Sequence, residues 1–201
     1  MISRGTSSQN RPWEVPHKGE IYDLSIWILR TRLTMLTLST GTKVLVTTGW
    51  PTSPARKTTE VVDVGSGETC PNLKKFPVKN RGAVGANLDG TLIVCGGGYS
   101  SGTYYQACYK LTNGGWQEFA SMNEKRGYTA AGIMFKNKFH VFGGYDGSSR
   151  LQTSEIISID GAVEDGPELP EAVGYHAITS INSTVSLLSG GCRTSATCSS
   201  P

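Results

Sequence analysis

Three histidines, His17, His140 and His176, and five cysteines, Cys70, Cys95, Cys108, Cys192 and Cys198, carry the most reactive side chains of this 201-residue sequence. Their spacing does not suit catalysis. No two cysteines form a CxxC pair and no histidine stands near one, which argues against a zinc site. HExxH and the phosphate-binding P-loop are also missing. His140 and His176 fall within β-rich runs, where an imidazole usually serves as a hydrogen-bonded strand side chain. What remains is chemistry of recognition. Cations and aromatic rings share the polar stretches WPTSPARK (Trp50 to Lys57), GYSSGTYY (Gly98 to Tyr105), YDGSSR (Tyr145 to Arg150) and CRTSAT from Cys192. Arginine, tyrosine and tryptophan are the residue types that protein interfaces favour.

Composition supports that reading. The net charge is only +3, from 19 Lys plus Arg against 16 Asp plus Glu, too weak for a dedicated nucleic-acid binder. Charged residues are 17% of the chain, and 25 glycines imply frequent turns. The apolar run Ile26-Trp27-Ile28-Leu29 is far short of the roughly 20 residues that cross a bilayer, so no membrane span is expected. The N-terminal stretch MISRGTSSQNRPWEVPHK has no apolar region of the signal-peptide kind.

The elements that position these side chains repeat. KVLVTTG, TLIVCGG, FHVFGG and VSLLSGG are β-rich runs closing on Gly49, Gly97, Gly144 and Gly191, at spacings of 48, 47 and 47. RGAVGANL, RGYTAAGIMF and VGYHAITSI keep the same register before each run, and TTEVVDV, YYQACYKL and TSEIISID keep it after. Each copy reads as four short strands without a crossover helix, as in the strand from Gly127, the turn Lys136-Asn137 and the strand from Lys138. Four-stranded units at this period are the signature of β-propeller blades.

The di-glycine, then Tyr109 and Trp116 with six residues between, then Arg126, resembles the kelch repeat from about residue 33 to 201. The resemblance implies an all-β kelch-type propeller of about three and a half four-stranded blades: 33–75, 81–122, 127–170 and a partial blade at 174–201. Residues 1–32 match no repeat and stay unassigned. Gly49, Gly96, Gly97, Gly143, Gly144, Gly190 and Gly191 are expected to be structural, allowing positive φ and close backbone approach. Tyr109 and Trp116 are expected to fill the gap between blades; by counting, Val61 and Glu68 replace them in the first copy, Ile156 and Val163 in the third. Three and a half blades do not close a ring of the usual four to eight. Open edges follow, with self-association through surfaces such as those over Ile178 and Leu187.

Cys95 ends one strand and Cys108 lies late in the adjacent one, so a wide hairpin would bring them within disulfide reach. Their counterparts by counting are Phe142 and Glu155. A CGG followed by a cysteine before tyrosine resembles secreted invertebrate kelch-like proteins, and Asn182-Ser183-Thr184 is a glycosylation sequon. The sequence leaves extracellular and cytoplasmic parents equally open. In kelch propellers the b–c and d–a loops gather on one face, which here would hold Arg56, Lys57, Lys79, Arg81, Lys125, Arg126, Arg150 and Arg193 against Glu124, Asp146 and Glu171. Trp50, Arg56, Lys57, Arg81, Tyr99, Tyr104, Arg126, Tyr145 and Arg150 are the expected partner-binding residues. Arg81 and Arg126 both match the repeat arginine. The expected function is a non-catalytic interaction module for a protein partner of acidic character, with no cofactor. Two alternatives stand beside it: a kelch substrate adaptor of a cullin ubiquitin ligase, and a fragment of a galactose oxidase-like copper enzyme, which would need two His and two Tyr on one metal.

Overall fold

The computed structural model describes residues 34–37, 43–49, 57–63, 65, 66, 68–70, 73–100, 102–128, 131–182 and 185–193. Trp50, Arg56, His17 and the segment 1–32 lie outside them. The described residues form β-strands and turns with no α-helix, and none is long and apolar enough to cross a membrane as a helix.

Four antiparallel sheets follow one another along the chain. The first holds β1 (Thr34–Thr37), β2 (Lys43–Thr47), β3 (Thr59–Asp63) and β4 (Thr69–Cys70); the second holds β5 (Val84–Leu88), β6 (Thr91–Cys95), β7 (Ala107–Thr112) and β8 (Gly115–Ser121). The third holds β9 (Ala131–Phe135), β10 (Lys138–Phe142), β11 (Ser154–Ile157) and β12 (Val163–Asp165), and β13 (Ala177–Ser180) pairs with β14 (Ser186–Ser189). Each sheet is a meander in sequence order. Two-residue turns make this possible: Asp89-Gly90 and Lys136-Asn137 have positive φ at both positions, the geometry that matches strand twist. The opening strands β1, β5, β9 and β13 lie against one another in succession.

Two apolar layers hold the sheets together. Leu45, Phe76, Ala83, Leu92 and Val94 pack between the first and second sheets. Ile93, Cys95, Cys108, Met122, Phe139, Val141 and Ile157 pack between the second and third. β6 therefore contributes to both layers: Leu92 and Val94 point one way, Ile93 and Cys95 the other, which is why TLIVC is apolar throughout. β14 shows the reverse: three of its four residues are exposed, Leu187 at 52%.

The glycine pairs carry the junctions. Thr48-Gly49, Gly96-Gly97, Gly143-Gly144 and Gly190-Gly191 all have positive φ. The second member of each of the first three pairs donates its N–H across to the next sheet: Gly49 to the Asn80 carbonyl (3.1 Å), Gly97 to Arg126 (2.7 Å) and Gly144 to Val173 (2.9 Å). A Cβ on Gly143 would stand 2.5 Å from the Val173 carbonyl oxygen, so the sheets could not approach as they do.

Asn80, Arg126 and Val173 thus occupy one repeat position, which corrects the pairing of Arg81 with Arg126. Arg81 pairs with Gly98 as Gly127 pairs with Tyr145 and Gly174 with Cys192. A second correction concerns the third sheet. Val94 faces Tyr109 across β6 and β7, while Val141 faces Glu155 across β10 and β11. Glu155, not Ile156, therefore takes the place of Tyr109, and Ser154, not Glu155, takes that of Cys108. The loop before β11 is one residue shorter than the loop before β7, and counting along the chain missed that.

Cys95 and Cys108 are cross-strand partners and form a disulfide on the buried face toward the third sheet. Cys192 is disulfide-bonded as well.

Candidate functional site

The loops leaving β6 and β10 and those leading into β9 and β13 meet at one end of the sheets. Gly98 bridges to Arg81 and Tyr104, and Tyr145 bridges to Gly127 and Arg150. These short bridges pin the loop stems and let their side chains converge. Six of the chain's eight tyrosines stand here: Tyr99, Tyr104, Tyr105, Tyr128, Tyr145 and Tyr175.

Four of them form a continuous ladder. Tyr104 meets Tyr128 and Tyr145 edge to face, each at 5.3 Å between ring centres, and Tyr128 lies 5.7 Å from Tyr145 and 5.5 Å from Tyr175. Cations sit on the rings. The Arg81 guanidinium lies 5.9 Å from the Tyr128 ring centre, and that of Arg150 lies 5.2 Å from Tyr145 and 5.4 Å from Tyr175. Lys79 stands 5.1 Å over Tyr99, and its carbonyl accepts the Tyr105 hydroxyl. Such contacts contribute about 0.5–1 kcal/mol each at exposed sites. They also hold flexible cations in place.

Tyr104 is the buried root of the ladder. Its ring is cradled by Gly98, Gly127 and Gly147, where any Cβ would press on it. Burial pushes its phenol well above the ordinary range, with Tyr128 adding to the shift. Tyr105 is raised for the same first reason, with Tyr99 second. The notch lined by Arg81, Gly98, Ser100, Tyr104 and Tyr128 is shallow and encloses no water-sized space.

Charge on this face is less one-sided than counting suggested, because some cations are consumed. Arg126 is buried, not solvent-facing. Its Nε donates to Glu155 Oε1 (2.9 Å), one terminal nitrogen to the Gly143 and Thr153 carbonyls, and the other to Glu124 Oε2 and Thr153 Oγ1. All five donors are used, which removes Arg126 from the partner-binding set. Tyr104, buried, leaves it as a direct contact too. Arg193 pairs with Glu171 at 2.6 Å. Burial works against ionisation of Asp146, but the Ser149 and Ser148 amides and hydroxyls outweigh it and hold the carboxyl below its usual range. Arg81, Tyr99, Tyr145 and Arg150 are half-buried at the face, as is Lys57 nearer the first sheet.

Tyr128 and Tyr175 were legible as repeat positions but not as members of this face. Both have positive φ, 47° and 59°, at the place where the second sheet has Gly82. A left-handed backbone costs a non-glycine residue about 1–2 kcal/mol.

Tyr109 and Trp116 lie elsewhere, between the first and second sheets. Phe76 packs edge-on against both, at 5.1 and 5.0 Å, and the indole N–H donates to Thr59 Oγ1 at 3.0 Å. His140 stands between Phe135 and Phe142 on β10, and burial lowers its pKa. Among the described residues no three His, Cys, Asp or Glu side chains are grouped to hold a metal ion.

No family model matches the chain. No curated protein matches it either. Among solved structures, that of YjhT is similar with a TM-score of 0.61 and 14% identity, over 74% of this chain and 53% of that one. At that identity the likeness is one of fold. The chain spans about half the length of YjhT.

Proposed function

We propose that the chain is part of a kelch-type β-propeller, three and a half blades of it, and that its b–c and d–a loop face binds an acidic protein partner. The meander sheets at a 47-residue spacing, the positive-φ glycine pairs and the succession of opening strands support the architecture. The ladder of tyrosines with Arg81 and Arg150 carries the functional reading. Rigid rings give contact area at low entropic cost, and arginines held on them offer paired donors to carboxylates. The absence of enclosed space in the ladder's notch favours a macromolecular partner over a small molecule.

Arg150→Ala tests it. With a verified partner, affinity is expected to fall about fivefold to tenfold at low salt and less at high salt, with stability lowered by about 1–2 kcal/mol. Equal affinity at both salt concentrations would overturn the acidic-partner reading.

The buried disulfide and the exposed Asn182 at the β13–β14 turn favour an oxidising, extracellular setting for the parent protein. Peptide mapping of secreted material without reduction is expected to recover Cys95 joined to Cys108 and a glycan on Asn182. Two alkylated thiols and a bare Asn182 would place the protein elsewhere.

A further inference from the structure

We infer that Tyr128 and Tyr175 are the recognition residues of this face, held there against backbone strain to grip a carboxylate-bearing, extended segment of the partner. The inference rests on the functional reading above and deepens it. The residue after each loop-stem bridge is left-handed in three successive sheets: Gly82 at φ 61°, Tyr128 at 47° and Tyr175 at 59°. Glycine meets that need without strain, and the second sheet folds with glycine there. The backbone conformation by itself gives no reason for tyrosine.

Nor do these rings serve the core. Neither belongs to the apolar layers between sheets, and both are half-buried at the surface. The two rings lie 5.5 Å apart at a 30° tilt, with Arg81 over Tyr128 and Arg150 over Tyr175. Arg150 is further fixed by donating its Nε to the Cys192 carbonyl at 3.2 Å. The Tyr175 N–H donates to the Tyr128 carbonyl at 3.2 Å, so the two strained residues are also coupled through their backbones. The result is a strip of two rings flanked by two guanidiniums. Outside the tight turns and the Thr48 junction, Tyr128 and Tyr175 are the described non-glycine residues with left-handed backbone, and strain held at half-buried aromatic residues fits a binding site organised in advance. A guanidinium keeps its donors in its own plane, so one seated on a ring can still take a carboxylate by two parallel hydrogen bonds. The rings then pack against the segment that carries the carboxylates.

The test compares Tyr128→Gly, Tyr175→Gly and Tyr128→Phe by fluorescence anisotropy and thermal melting of the full chain. The probe is a fluorescein-labelled glutamate-rich peptide, with its glutamine counterpart and heparin as controls. Each glycine variant is expected to lose about tenfold or more in affinity for the glutamate peptide while its melting temperature falls only modestly, the relieved left-handed strain offsetting part of the lost ring contacts. Tyr128→Phe keeps the ring and is expected to bind within about threefold of the original chain. Melting temperatures that collapse with the glycine variants would mark the rings as structural and overturn the inference. Unchanged affinity in those variants, with the original chain still binding the glutamate peptide, would also overturn it and leave the functional reading standing. If the original chain prefers heparin, or ignores the glutamate peptide altogether, both fall.

Discussion

Arg126→Met is expected to cost about 3–5 kcal/mol in a urea melt, the largest effect of any single change on this face, because it strands a buried carboxylate. Glu155 is 1% exposed and accepts from Arg126, from the Asn123 amide (2.5 Å) and from the Glu124 amide (3.2 Å). Without the guanidinium, two amide donors must hold a full charge inside an apolar layer, and the Gly143 and Thr153 carbonyls lose their donor. A domain of this size has about 5–15 kcal/mol in total, so the loss is a large share of it. Glu155→Leu leaves the cation with Glu124 and is expected to cost less. The double variant should cost less than the sum of the two, with a coupling of about 1–3 kcal/mol. Additive losses would show that the pair does not act as one unit. Binding by Arg126→Met, measured under conditions where it is folded, should match the original chain, which separates it from Arg150→Ala.

The same interface position shows a second solution within the chain. Between the first and second sheets it is filled by Tyr109, with Phe76 and Trp116 beside it; between the second and third it holds Glu155 under Arg126. The polar solution needs every donor and acceptor matched. The aromatic one needs only the Trp116 N–H bonded to Thr59.

How far the sequence disclosed this follows from what a spacing counts. The 47-residue period marked the glycine runs, since those sit at sheet junctions where a Cβ is excluded and the backbone has no alternative. The order of strands, the Lys136-Asn137 turn and the cross-strand Cys95–Cys108 pair were legible for the same reason, being local in the chain. Arg81 and Arg126 were equated wrongly because residue type suggested it. The bridge partners show that Asn80 stands where Arg126 does, its side-chain amide donating to Gly96 as Arg126 donates to Gly143. A one-residue difference in loop length hid Glu155 in the same way. The ladder was hidden more deeply, since Tyr128 and Tyr175 open strands yet turn out to the loop face through a left-handed backbone, which no alternation of apolar and polar residues reports.

Acid is expected to loosen the junction between the third sheet and β13, through His176. The ring is 4% exposed, neither nitrogen makes a well-formed hydrogen bond among the described residues, and it lies where a Cβ on Gly143 would touch it. Burial lowers its pKa from 6.5 to about 4, with the Phe142 backbone opposing the shift. The unfolded chain therefore takes up the proton near pH 6.5 while the folded chain refuses it until about pH 4. Between those values the unfolded state binds more protons, so stability falls as pH falls, by about 1.4 kcal/mol per unit and about 3 kcal/mol in all. By pH 5 the loss from this group is about 2 kcal/mol. His176→Leu removes that component, leaving the smaller contribution of the same sign from His140, whose pKa is also lowered by burial. Urea melts at pH 7.5 and pH 5 should therefore show the original chain losing about 2 kcal/mol more than the variant. Binding by the folded chain should hold over the same range, because folded His176 takes no proton there, and should weaken only as the pH approaches 4. Parallel pH profiles for the two proteins would mean that the proton is accommodated at this junction and that acid acts on the fold through some other group.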